Sequence, residues 1–141
     1  MSAIKLEYDV LGNNFSTAGS ASDSVKAQLK MIGIDPKDIR RVAIAMYEGE
    51  INMVIHAGGG KAIVEIYPDK VVIVLADHGP GIKDINEAMK EGFSTANDDL
   101  RNMGFGAGMG LPNMKKCSDS MNIDTKVGVG TKITMVINFT N

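Results

Sequence analysis

The chain has no tryptophan, a single cysteine, only 5% aromatic residues and no apolar run long enough to cross a bilayer. A lone cysteine excludes a disulfide scaffold, and Cys117 reads as a core filler because nothing near it in sequence would activate a thiolate. Without a bilayer-length run a transmembrane helix is excluded. Without a charged-then-apolar leader the expected compartment is the cytoplasm. A basic excess is missing as well: 15 Lys and Arg against 17 Asp and Glu leave a net charge of −2, so no nucleic-acid partner is expected. The basic pairs Arg40-Arg41 and Lys115-Lys116 stand without flanking clusters. With so few aromatics, valine, isoleucine, leucine and the 10 methionines must fill the core. There is enough of them, because 44% hydrophobic residues exclude intrinsic disorder. A length of 141 residues suits one domain, 1–141, burying roughly two-thirds of its unfolded surface. What is plentiful is glycine, 16 residues unevenly placed.

Ile4, Leu6, Tyr8 and Val10 alternate with polar residues, the period of a half-buried strand. A polar stretch, 12–24, offers several helix caps. From about Ser22, Val25, Leu29 and Ile32 recur at helical spacing and Gly33 suits a stop. Asp35-Pro36 reads as a cap followed by proline in the first turn of a long helix to about Ala57, with Ile39, Val42, Met46 and Met53 on its core face. Gly58-Gly59-Gly60 ends it. Strands follow over about 61–67 and 70–76, joined tightly at Pro68-Asp69, then a short helix over 83–91. Residues 92–108 show no period, and so long a loop in a compact domain is usually functional or disordered. A helix begins near Gly110, and strands over 121–126 and 132–139 close the chain. The order β-α-α-β-β-α-loop-α-β-β lacks βαβ alternation, which predicts an α+β fold with helices on one face of a sheet.

Three constellations carry chemistry. Glu48, Asn52 and His56 stand four apart and share one helix face. They form either a solvated edge or a base with a metal ligand. A carboxylate can take a proton, and an amide oxygen suits Mg²⁺, which keeps most of its ligands as water and phosphate. Zinc fits poorly, with one histidine and no nearby cysteine. Next, Asp77-His78-Gly79-Pro80-Gly81-Ile82 follows an apolar strand. This is either an ordinary turn or a place where two glycines admit a flat ligand while the acid accepts from an exocyclic amine such as adenine's. Last, glycines 104, 106, 108 and 110 alternate before a helix. They make either a hinge or an anion nest strengthened by the helix start. A Walker loop, a Rossmann fingerprint and protein-kinase signatures are all absent.

The ordered trio E-x-x-x-N, D-x-G-x-G-I and G-x-G-x-G-L resembles the gyrase, histidine-kinase and MutL type of ATPase, the GHKL superfamily, over about 40–139. Within it the chain resembles small bacterial serine/threonine kinases that regulate sigma factors. Gly92-Phe93-Ser94-Thr95 with Gly108-Met109-Gly110-Leu111-Pro112 looks like the stress-pathway switch kinase, and Arg101-Asn102-Met103-Gly104 like the anti-sigma kinases. The resemblance implies a Bergerat two-layer α/β sandwich with a mixed sheet. It implies ATP and Mg²⁺ as cofactors and an ATP lid over about 92–110. Glu48 would be the general base, Asn52 the Mg²⁺ ligand and Asp77 the adenine-reading acid, with Gly79, Gly81 and Ile82 beside the base. Thr131 would support Asp77, and Arg101 would reach the γ-phosphate. Thr95, Gly104, Gly106, Gly108, Met109, Gly110 and Leu111 would line the phosphates. His56 either joins that set or packs the end of its helix.

The implied activity is γ-phosphate transfer to a serine on an anti-sigma-factor antagonist, with a sigma factor or a phosphatase competing for the surface. Pairing with a second copy is common in such kinases, although no stripe in this sequence encodes it. Two rivals stand: a detached histidine-kinase catalytic domain, and a non-catalytic module that binds nucleotide and sequesters its partner. Three features depart from the pattern. Gly49 sits inside the helix beside the proposed base, Glu50 brings a second acid close on a different face, and Asp98-Asp99 place negative charge in the lid.

Overall fold

The computed structural model describes residues 3–12, 16, 18–89 and 110–140. Along them run β1 (Ile4–Leu11), α1 (Ser20–Met31), α2 (Pro36–His56), β2 (Gly59–Ile66), β3 (Lys70–Asp77), α3 (Ile85–Ala88), α4 (Gly110–Cys117), β4 (Ser120–Lys126) and β5 (Gly130–Asn138). Alternation and helical spacing predict this order. The boundaries differ in three places: α1 starts at Ser20, the short helix shrinks to Ile85–Ala88, and Gly59 and Gly60 open β2 instead of only closing α2.

The sheet order is β1-β2-β3-β5-β4, and every neighbouring pair is antiparallel. The mixed sheet implied by the resemblance is therefore corrected to an antiparallel one among the described residues. Tight returns are part of the reason. The amide of Tyr67 donates to the Lys70 carbonyl at 2.8 Å, and that of Val129 to the Lys126 carbonyl at 3.0 Å. Each return makes the strands it joins antiparallel. One row of facing residues, Leu6, Val64, Ile73, Met135 and Met121, crosses all five strands toward the helices. A row on the opposite face reads Asp9, Lys61, Ala76, Lys132 and Asp124, with Lys61 Nζ 3.6 Å from Asp9. The α+β two-layer architecture stands, with the helices packed on one face.

α2 is the spine of the helical layer. Asp35 caps it by accepting from the Lys37 amide at 2.9 Å, and Pro36 occupies the first turn. Ile39, Val42, Met46 and Met53 are all buried in the core. Each such side chain contributes about 1.5–3 kcal/mol relative to exposure, so packing and not propensity holds the helix. Gly49 now has a reason. A Cβ there would collide with the Leu75 side chain and lie 3.3 Å from the Met114 methyl, so glycine lets α2 approach β3 and α4 closely. That contact offsets its helix-propensity cost of roughly 1 kcal/mol.

The far end of α2 clasps the C-terminal strand. Arg41 donates to the Asn138 carbonyl at 3.0 Å and to Asp119 at 2.9 Å. Asp119 accepts from the Asn138 amide at 2.6 Å; this N–H first, and Arg41 second, holds its carboxyl below the usual range. Buried Asp38 accepts from the Thr140 amide and hydroxyl at 3.0 and 3.1 Å. The clasp gives one of the two basic pairs a structural task. It also pins the segment just after α4 against α2.

Candidate functional site

α4 lies antiparallel beside the polar stripe of α2. At its start, a Cβ on Gly110 would sit 3.0 Å from both amide atoms of Asn52, so a side chain there would crowd that amide. One turn further along α4, Asn113 Nδ2 donates to Glu48 Oε2 at 2.9 Å. Glu48 is half-buried, and among the described residues no donor reaches its Oε1. Among the described residues, the Asn52 amide nitrogen has only the Met114 sulfur at 3.9 Å, a weak partner that a better one displaces easily. His56, next along the stripe, is half-buried, and burial pushes its pKa below the ordinary imidazole value, which leaves it neutral at pH 7.

The second constellation forms a shaped turn at the end of β3. Asp77 Oδ1 accepts from the Gly79 amide at 2.9 Å and the Thr131 amide at 3.2 Å. Its Oδ2 has no donor among the described residues and no burial that would demand one. Thr131 is buried, and its hydroxyl lies 2.8 Å from that of Thr125, which accepts from the Ile82 amide at 2.9 Å. The chain Ile82–Thr125–Thr131–Asp77 thus ties the turn to the β4–β5 hairpin. Gly81, at φ +80°, is pressed against the Lys126 carbonyl, where any side chain would be strained and crowded.

The two constellations are contiguous. A Cβ on Gly79 would lie 2.7 Å from the Ala57 Cα, so the turn abuts the C-terminal end of α2. From Ala57 back to Glu48 the helix rises about 14 Å at 1.5 Å per residue. Asp77, His56, Asn52 and Glu48 therefore follow one another in a line along α2, over a span on the order of an extended nucleoside triphosphate.

Glu48, Asn52, His56, Gly110, Asp77, Gly79, Gly81, Ile82 and Thr131 all fall along this line or in its supports. Leu111 does so only through its backbone, since its side chain is buried in the core. Thr95, Arg101, Gly104, Gly106, Gly108 and Met109 lie outside the described residues, as does the expected lid apart from Gly110. Two residues that spacing did not single out also belong here: Thr125, facing Thr131 across the last hairpin, and Asn113, just beyond the glycine run. Register counting from the Val127–Val129 turn could have found the first. Only helix pairing finds the second.

Among the described residues, no three His, Cys, Asp or Glu side chains gather as a metal site. A single amide oxygen on Asn52 matches an ion that keeps water and phosphate as its other ligands. Mg²⁺ fits that donor set and a closed zinc centre does not.

The chain belongs to the histidine kinase-like ATPase domain family, whose model matches residues 14–137. It is 33% identical over 108 residues to the serine/threonine-protein kinase RsbT of Bacillus subtilis, covering 74% of this chain and 75% of that one. To the anti-sigma F factor of Caldanaerobacter subterraneus it is 30% identical over 139 residues, covering 94% and 90%. Both subgroups resembled by the sequence thus appear among its relatives. The fold also matches the RsbU and RsbW domains of Rv1364c from Mycobacterium tuberculosis, with a TM-score of 0.61 at 17% identity over 96% of this chain and 32% of that one. Among the described residues, no helix is long and apolar enough to cross a membrane.

Proposed function

We propose that this chain is a cytoplasmic, ATP-dependent protein serine/threonine kinase of a sigma-factor partner-switching pathway, and that it phosphorylates a serine on an anti-sigma-factor antagonist. The observation that carries this reading is the line of polar groups along α2, with a half-buried carboxylate at one end and an anchored acid at the other. Asp77 Oδ2 accepts from the adenine amine, while Gly79 and Gly81 let the ring lie against the backbone. Asn52 Oδ1 would hold Mg²⁺, which would supply charge neutralisation for the phosphates. Glu48 takes the proton from the incoming serine hydroxyl through its open Oε1. The serine oxygen bonds to the γ-phosphorus as the bond to the β–γ bridging oxygen breaks, and ADP leaves. Arg101 stabilises charge on the transferring group. A sigma factor or a phosphatase competes for the docking surface.

The test is transfer of γ-³²P from ATP to a candidate antagonist protein. The expected product is acid-stable phosphoserine on the antagonist. Acid-labile phosphate would assign the chain to histidine phosphorylation. Bound ATP with no labelled partner would make it a non-catalytic binding module.

A further inference from the structure

Asn113 has no part in the roles assigned so far, yet it makes the one described hydrogen bond to the proposed base. We infer that Asn113 is a positioning residue for Glu48: its amide holds Oε2 so that Oε1 faces the acceptor. The inference rests on Glu48 being the base.

Three observations carry it. The bond is short, 2.9 Å from Nδ2 to Oε2, and joins residues 65 apart in sequence, so it exists only because α4 lies along α2. α4 is a rigid mount. Leu111, Pro112 and Met114 are buried, the Ser118 hydroxyl ties back to the Met114 carbonyl at 2.7 Å, and Arg41 clamps Asp119 just beyond. The same helix also meets Asn52 through Gly110 and Met114. The spacing between base and metal ligand is therefore set from outside as well as within α2.

The chemistry explains why a donor is needed there and why it is an amide. The terminal torsion of a glutamate is broad, so an unheld carboxylate samples orientations in which neither oxygen faces the acceptor. Proton transfer in phosphoryl transfer needs the base at hydrogen-bond distance, and small misplacements are costly. A neutral amide fixes the group without bringing a cation that would lower the basicity of the carboxylate. α4 also follows the glycine run directly in sequence, so the base is held by the element that continues from the proposed phosphate loop.

The test compares Asn113→Ala, Asn113→Asp and Asn113→Gln with the intact chain, with Glu48→Gln in parallel. Basal ATP hydrolysis and affinity for a non-hydrolysable ATP analogue are measured with Mg²⁺. Asn113→Ala and the isosteric Asn113→Asp should lower kcat by about 10- to 100-fold, with KM, analogue affinity and melting temperature unchanged. Asn113→Gln, which keeps the amide, should recover most of the loss. Wild-type kcat in the Ala and Asp variants, while Glu48→Gln is inactive, would overturn the positioning role and leave the base standing. Wild-type turnover in Glu48→Gln would remove the base itself. Parallel loss of affinity and melting temperature would reduce Asn113 to a packing contact. The ¹⁵N-resolved side-chain amide of Asn113 gives a readout independent of turnover. It should shift on Glu48→Gln, and an unmoved signal would contradict the bond.

Discussion

Glu48 and Glu50 sit two residues apart on α2, and the structure treats them in opposite ways. Glu50 is buried and both its oxygens are taken: Oε2 by the amides of Gly19 and Ala21 at 2.9 and 3.2 Å, Oε1 by that of Ser22 at 3.0 Å. It is a remote cap for α1, whose own leading residue, Gly19 at φ 93°, supplies no side chain. Among the described residues, Glu48 has one neutral donor, on Oε2, and none on Oε1. Residue type and helix are the same. What separates a fixture from a reagent is the number of donors aimed at the carboxylate, and this depends on which layer the helix turns each one toward.

Glu50→Ala should break the structural side of this comparison hardest. It leaves the N-cap amide of Gly19 and the first-turn amides of Ala21 and Ser22 without their acceptor, at a cost of about 3 kcal/mol or more. The melting temperature should fall by about 10 °C in thermal denaturation. Glu48→Gln should stay within about 0.5 kcal/mol of wild type in the same experiment. Equal losses would show that the two carboxylates are both structural.

Asp77 sharpens the contrast from between these extremes, with one oxygen anchored by two amides and the other open. Asp77→Asn can still accept from Gly79 and Thr131 through its carbonyl, but it turns an NH₂ toward the adenine amine. ATP affinity measured by calorimetry should drop by about 10- to 100-fold, about 1.4–2.8 kcal/mol, with a smaller loss of stability than Glu50→Ala. Unchanged affinity would remove Asp77 from nucleobase recognition.

Local pattern made much of the molecule legible. Alternation in β1 and the stripe of α2 identify their elements, and Asp35-Pro36 marks a helix start, because each signal needs only neighbours in sequence. The polar trio on α2 and the glycine turn after β3 were readable for the same reason. What stayed hidden depends on distant partners. Glu50 reads as a stray acid until α1 folds onto it from about 30 residues away. Gly49 reads as a cost until Leu75 and Met114 meet it. Thr125 and Asn113 acquire meaning only through strand register and helix pairing. The sheet directions followed the resemblance instead of the chain's own tight turns, and so came out mixed where the pairing is antiparallel.

The central claim is that the Glu48 carboxylate on α2 takes the proton during phosphate transfer while the rest of the proposed site holds ATP. Glu48→Gln measures it most directly, with ATP affinity and γ-phosphate transfer to the antagonist protein determined on one preparation. The expected result is affinity within about twofold of wild type and transfer reduced by about 10²- to 10⁴-fold. Transfer at the wild-type rate would contradict the account.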